Sequence, residues 1–258
     1  MKQILLFSFL MLSLGACKKG LFYSVPQQKQ LGLQVRDEIF NNPAEYPVLK
    51  EAQYPEAYGH IRRITNTVLN SGKIKHRNDF DWEVYIIHDD KTLNAFCTPG
   101  GYIFVYTGLI KYLDTEDELA GVMGHEIAHA DLEHSARQMD KQFGTSLLAE
   151  LLLGRSSEQT KQILVGFASL SYSRSHETEA DLNSVVYLSG TPYKCSGAAG
   201  FFEKIVAEGG GRQPAFLSTH PDPGNRVEKI HNKAKEIGCN VQAISGNSYQ
   251  AFKNSLPR

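Results

Sequence analysis

The spacing of apolar residues changes several times along the chain, and each change predicts an element. Ile4 to Leu14 is apolar apart from Ser8 and Ser13. That run has the size of a signal-peptide core and is well short of the ~20 residues a membrane-crossing helix needs. Gly20 to Gln30 reads as a tether. Leu31–Phe40 and Tyr58–Leu69 carry apolar residues at helical spacing, with Pro43, Pro47 and Pro55 punctuating the stretch between. Trp82–Ile87 has the β-rich pattern of a strand, and Asn94–Thr107 reads as a hairpin turning at Thr98-Pro99-Gly100-Gly101. Thr115-Glu116-Asp117-Glu118 has the form of a capping box and opens a helix expected to reach about Gln142. Helical character resumes from about Glu158 to Leu188, from Ser196 to Glu208 and from Asn225 to Glu236. A few strands followed by many helices predict one mainly helical α+β domain, residues 31–258.

Composition narrows the picture only a little. The chain has 258 residues, with 27 Lys+Arg against 28 Asp+Glu, and 41% of it is hydrophobic. This is a folded protein's composition, and a net charge of -1 gives no electrostatic case for nucleic-acid binding. Leu14-Gly15-Ala16-Cys17 resembles the bacterial lipoprotein box. Residues 1–16 are then expected to be a cleaved signal peptide, Cys17 the lipidated residue and residues 17–30 a tether. Lys18-Lys19 follows where Asp would retain a lipoprotein at the inner membrane, so the expected location is the outer membrane, facing the periplasm. In that oxidising compartment Cys195 and Cys239, both in loop-like contexts, form the candidate disulfide, and Cys97, in an apolar run, is expected to be a buried thiol.

The chemistry sits on two helices. His125-Glu126-Ile127-Ala128-His129 places two imidazoles four residues apart on one helical face, where both can reach one metal ion. Glu126 lies about 100° around the helix, suited to act as a base toward water. A third ligand is required. His134, five residues after His129, would be rotated ~140° off the ligand face of a continuous helix and is expected to be a structural hydrogen-bonder. Glu177 is the better candidate, with Asp181 one turn later to accept the N–H of a ligand imidazole, while His176 and Glu179 are expected to face solvent. His220 and Arg226 follow a glycine-rich loop. From spacing alone they fit equally well as stabilisers of a developing oxyanion or as parts of a helix-entry turn built by Pro221, Asp222 and Pro223.

These segments, in this order, resemble the zinc metallopeptidase family of the CAAX prenyl endopeptidases and the bacterial heat-shock protease HtpX, in its soluble periplasmic lipoprotein branch. Gln30-Leu31-Gly32, Asn94 to Val105, the His-Glu-Ile-Ala-His helix, Tyr172-Ser173-Arg174, Glu177-x-x-Ala180-Asp181 and Thr219-His220-Pro221 with Arg226 carry the likeness. The resemblance implies a zincin-like, gluzincin-type domain with a small sheet beside the active-site helix. It implies one zinc ion held by His125, His129 and Glu177, with Glu126 as catalytic base and Asp181 supporting a ligand. It assigns His220 and Arg226 to transition-state contacts, and in some periplasmic relatives the residue at the place of His220 is thought to fill zinc's fourth position and hold the enzyme latent. Cys97 and Ser184 depart from the family's usual small aliphatic residue and Gly. The implied activity is endoproteolysis of unfolded or misfolded envelope proteins. Substrate would add as a strand along the hairpin, at Asn94, Ala95, Phe96, Gly100 and Gly101. Rival readings are a chaperone or assembly factor with structural zinc and a zinc hydrolase of non-peptide amides.

Overall fold

A computed structural model describes residues 23–153, 166–208, 215–222, 224–242 and 248–258. The segment expected to be a signal peptide and Cys17, the residue expected to carry lipid, lie outside these residues. Helix α1 spans Val25–Asn41 and α2 spans Pro55–Leu69. Strands β1 (Glu83–Ile87), β2 (Ala95–Cys97) and β3 (Tyr102–Tyr106) follow. The rest is helical: α3 (Thr107–Tyr112), α4 (Glu116–Asp131), α5 (His134–Phe143), α6 (Thr145–Leu152), α7 (Arg174–Leu188), α8 (Gly197–Ala207), α9 (Ala215–Thr219), α10 (Arg226–Glu236) and α11 (Ser248–Asn254). No helix among the described residues is long and apolar enough to cross a membrane.

The sheet runs β1-β3-β2, with β1 parallel and β2 antiparallel to β3. Every residue of β3 is buried, because helices cover both faces of the sheet. Side-chain alternation divides the strand between two cores. Ile103 and Val105 join Val84, Ile86, Ala95 and Cys97 in the core that contains α2, α4, α7 and α8. Tyr102, Phe104 and Tyr106 join Phe96 and Ile87 in a second core with Leu31, Val35 and Ile39 of α1 and Leu148 and Leu151 of α6.

Three expected boundaries are corrected. Residues 25–30, read as part of the tether, are the first turns of α1. Ser24 N–H donates to Gln27 Oε1 at 2.8 Å, Pro26 sits in the first turn, and the buried Gln28 side chain donates to the Tyr23 carbonyl. The helix expected to reach Gln142 ends at Asp131. Asp131 accepts the Lys75 and His76 N–H groups and the Tyr187 hydroxyl, and Glu133, at φ +62°, turns the chain into α5. The helix expected from Glu158 begins at Arg174, where Ser173 Oγ accepts the His176 N–H at 3.2 Å; residues 158–165 lie outside the described span.

Helix α4 is wedged between α7 and α8. A Cβ at Gly121 would lie 2.0 Å from Ala198 N, so only glycine allows α8 to approach this closely. Cys195 and Cys239 form a disulfide that closes a 44-residue separation around α8 and α10, and Cys97 is a buried free thiol.

Candidate metal centre

Helical spacing puts the His125 and His129 rings on one face of α4, with their Nε2 atoms 3.0 Å apart. Glu177, in the first turn of α7, brings Oε2 to 3.5 Å from His125 Nε2 and Oε1 to 3.4 Å from His129 Nε2. His220, directly after α9, places Nδ1 3.2 Å from His125 Nε2 and 3.1 Å from Glu177 Oε1. All four donor atoms lie within 4.8 Å of one another. The four residues are at most 1% exposed.

This donor set fits a small divalent cation. Bonds of ~2.0–2.1 Å in a tetrahedral arrangement separate neighbouring donors by about 3.4 Å; five of the six residue pairs approach to 3.0–3.5 Å, taking either Glu177 oxygen, and all four donors lie within 4.8 Å. Imidazole nitrogens and carboxylate oxygens that converge away from water repel one another unless protons or a cation lie between them. Although burial opposes ionisation of Glu177, His220, His129 and His125 together hold its carboxyl well below the usual range. Burial keeps His129 neutral, the state that ligation requires.

Glu126 is fully buried, and among the described residues neither of its oxygens has a hydrogen-bond partner. Oε1 lies 3.5 Å from His220 Nε2. Burial pushes the carboxyl up, against the pull of His220 and His125. The arrangement puts a partnerless base beside the donor cluster.

The groups behind the donors are also buried. Asp181 Oδ1 approaches His125 Nδ1 to 2.9 Å, off the line of an ideal hydrogen bond. The Arg226 guanidinium, which the resemblance assigns to a transition-state contact, meets carboxylates in this structure. Nε donates to Asp181 Oδ2 at 3.0 Å, Nη2 to Asp181 Oδ1 at 2.7 Å and to Glu177 Oε2 at 3.3 Å, with the Phe202 ring 3.7 Å beneath it. Spacing could place Arg226 near the site but not orient its fork. The Tyr172 ring stacks on His129 at 3.7 Å and the Phe216 ring on His220 at 4.1 Å. Neither ring is legible as part of the site from residue spacing, since both sit outside the helical face that carries the ligands.

The hairpin lies beside α4 as expected, but its turn is occupied. Gly100 and Gly101 carbonyls accept the Asp81 and Glu83 N–H groups, and a Cβ at Gly100 would meet Lys29 Cα of α1 at 2.6 Å. These two glycines therefore anchor the turn to α1 and to the start of β1, with both carbonyls engaged. Tyr106 N–H donates to Asn94 O and Thr98 N–H to Tyr102 O, so residues 94, 96 and 98 face β3. Ala95 and Cys97 then point their backbone groups to the outer edge of β2, where Ser135 Oγ already donates to Cys97 O. Asn94 is buried, with Oδ1 accepting from Thr219 Oγ1 at 3.5 Å, and Phe96 stacks on Phe104 at 5.0 Å, so neither side chain is free for substrate.

Comparison with known proteins agrees with this geometry. The chain is 35% identical over 158 residues to the "Mitochondrial metalloendopeptidase OMA1" of Schizosaccharomyces pombe, covering 59% of this chain and 47% of that protein. It is 30% identical over 187 residues to the "Beta-barrel assembly-enhancing protease" of Escherichia coli, covering 67% and 38%. A "Putative beta-barrel assembly-enhancing protease" of Vibrio cholerae is 27% identical over 235 residues, covering 76% and 49%. The chain thus spans about half, or less, of the length of these curated relatives. Residues 55–234 match the description "Peptidase family M48". With the His-Glu-x-x-His helix, Glu177, Asp181, His220 and Arg226 all inside that span, the chain belongs to the metallopeptidase family M48.

Proposed function

We propose that this protein is a zinc-dependent endopeptidase that cleaves unfolded or misfolded proteins of the bacterial envelope, held at the outer membrane by lipid on Cys17. The observation that carries the enzymatic part is the Glu126 carboxylate, buried without a hydrogen-bond partner and facing the four-donor cluster. When bound there by His125, His129 and Glu177, zinc would supply Lewis acidity toward the scissile carbonyl and the attacking water. Glu126 removes the proton from that water and returns it to the leaving amine. Asp181 and Arg226 hold His125 and Glu177 in place. The outer edge of β2 at Ala95, buried in this closed state, would offer backbone groups to an extended peptide once the segment around His220 moves, a mode that selects for unfolded chains over particular side chains.

His220 supports a latent resting state. Its Nδ1 stands where a fourth donor would complete the coordination, and the whole site is closed to solvent. Substrate therefore requires His220 and the segment around it to move. The names of the relatives, a mitochondrial metalloendopeptidase and a β-barrel assembly-enhancing protease, agree with proteolysis.

Four protein donors and full burial also suit a purely structural metal site, so an assembly factor without catalysis is the second reading. Glu126 disfavours it, because a structural site gains nothing from a buried carboxylate that is no ligand and makes no hydrogen bond among the described residues. Metal content and casein digestion, with and without chelator, separate the two in the wild-type chain and in the His220→Ala variant. Chelator-sensitive cleavage supports the enzyme. A metal-loaded protein that cleaves nothing in either form supports the structural reading.

A further inference from the structure

The break in the helix at Glu133 has a chemical consequence at His134. On a continuous helix this ring would face away from the ligands, but the left-handed turn brings its Nδ1 to 3.2 Å from His129 Nδ1. His134 is fully buried. Its other nitrogen, Nε2, reaches Glu179 Oε2 at 3.2 Å, and the Glu179 side chain is 53% exposed. His176 lies flat against His134, with centroids 4.2 Å apart and planes 8° from parallel, which restrains rotation of the ring.

Protons can be assigned along this line. His129 directs Nε2 into the donor cluster, so ligation through Nε2 requires the ring proton on Nδ1. A buried N–H needs an acceptor. Among the described residues, the polar atom that meets His129 Nδ1 is His134 Nδ1, which must then carry a lone pair. Neutral His134 consequently keeps its proton on Nε2 and donates it to Glu179.

We propose that His134 and Glu179 are positioning residues that fix the tautomer and orientation of the ligand His129, by a line of hydrogen bonds running from the buried ring to a carboxylate at the surface. The proposal rests on His129 being a metal ligand. It gives the two ligand imidazoles different supports. His125 is backed directly by Asp181, while His129 is backed by Glu179 through one intervening imidazole. Glu179 was expected to be one more charge on a solvated face, and its exposure alone gives no reason to think otherwise.

Exposure makes Glu179 the residue to vary, since the fold does not depend on it. Zinc(II) affinity of the whole chain is measured by competition with a fluorescent chelator, and the cobalt(II) form by its visible absorption. Glu179→Leu cannot accept the His134 N–H, and its zinc affinity is expected to fall about tenfold, the lower end of what supporting partners of metal ligands contribute. Its cobalt(II) absorption is expected to shift as well. Glu179→Gln keeps an acceptor oxygen and is expected to restore both readings to near those of the wild type. Wild-type affinity in Glu179→Leu overturns the proposal. So does an equal loss in both variants, because the charge of Glu179 would then be acting rather than its hydrogen bond. A wild-type chain that binds no zinc would instead overturn the metal reading itself, a result distinct from either.

Discussion

Glu126 Oε1 and His220 Nε2 face each other at 3.5 Å inside a site closed to solvent, while the opposite ring nitrogen of His220 stands among the metal donors. One imidazole thus lies between the base and the place where a cation fits. Burial alone would lower the His220 pKa, but the Glu177 and Glu126 carboxylates outweigh it and leave it raised. The two residues report on different parts of the reaction and can be separated by substitution.

Glu126→Gln removes the base and nearly preserves shape. Because Glu126 is not among the four converging donors, metal content is expected to match that of the wild type. Cleavage of casein is expected to fall by roughly a hundred- to ten-thousand-fold, the usual contribution of a positioned acid–base group. The comparison is made in a His220→Ala background, so that latency cannot hide the loss. Undiminished turnover would remove Glu126 from the mechanism.

His220→Ala removes the fourth donor and the buried ring beside Glu126. Basal cleavage is expected to rise and zinc to bind more weakly, both measurable on one preparation by casein digestion and chelator competition. A fall in cleavage with metal retained would instead give His220 the oxyanion role that its spacing equally allowed.

The difference between what was legible and what was not follows from the range of the signals involved. The positions of His125, His129, Glu177 and Asp181 on helical faces depend on residues four apart, which a period of 3.6 fixes locally. The division of β3 between two cores depends on alternation, equally local. The break after Asp131 carries no Gly or Pro; it depends on Asp131 binding Lys75, His76 and Tyr187, partners about 55 residues away in either direction. His134 could therefore be recognised as a hydrogen-bonder, but not as a neighbour of His129. Gln27 to Gln30 are polar enough to pass for a tether, although Ser24 and Pro26 stand where a helix start favours them. Arg226 was located correctly, but a guanidinium's choice of carboxylate is a tertiary contact.

Arg226 is 3% exposed and meets both Asp181 and Glu177. Arg226→Met would leave these carboxylates together in the core without a guanidinium. In metal-free protein the expected loss is about 3–5 kcal/mol of unfolding free energy, read from urea melts. Arg226→Lys is expected to recover little, since an ammonium cannot span both Asp181 oxygens as the planar fork does. Full recovery by Lys would show that charge alone matters here.

Glu116 offers a test of the scaffold by pH. Its side chain accepts from Arg63 Nη1 and Nη2 at 2.6 and 2.7 Å, from Tyr193 Oη at 2.8 Å and from Ser248 Oγ at 2.9 Å, joining α2, the start of α4 and α11. Burial favours the neutral acid, but these donors outweigh it and lower the pKa. Between the lowered folded value and the ordinary unfolded one, the unfolded chain binds more protons, so stability rises with pH across that interval. The contribution is complete above the unfolded value of 4.5 and is lost as pH falls through the folded one. Glu116→Gln is therefore expected to cost about 1–3 kcal/mol at pH 7, toward the lower end because the Arg63 side chain is 46% exposed. The gap between wild type and variant should narrow progressively below about pH 4, when both are unfolded by urea at a series of pH values. A gap that stays constant from neutral to acid pH would mean that the cluster stabilises by shape and not by the ionised carboxylate.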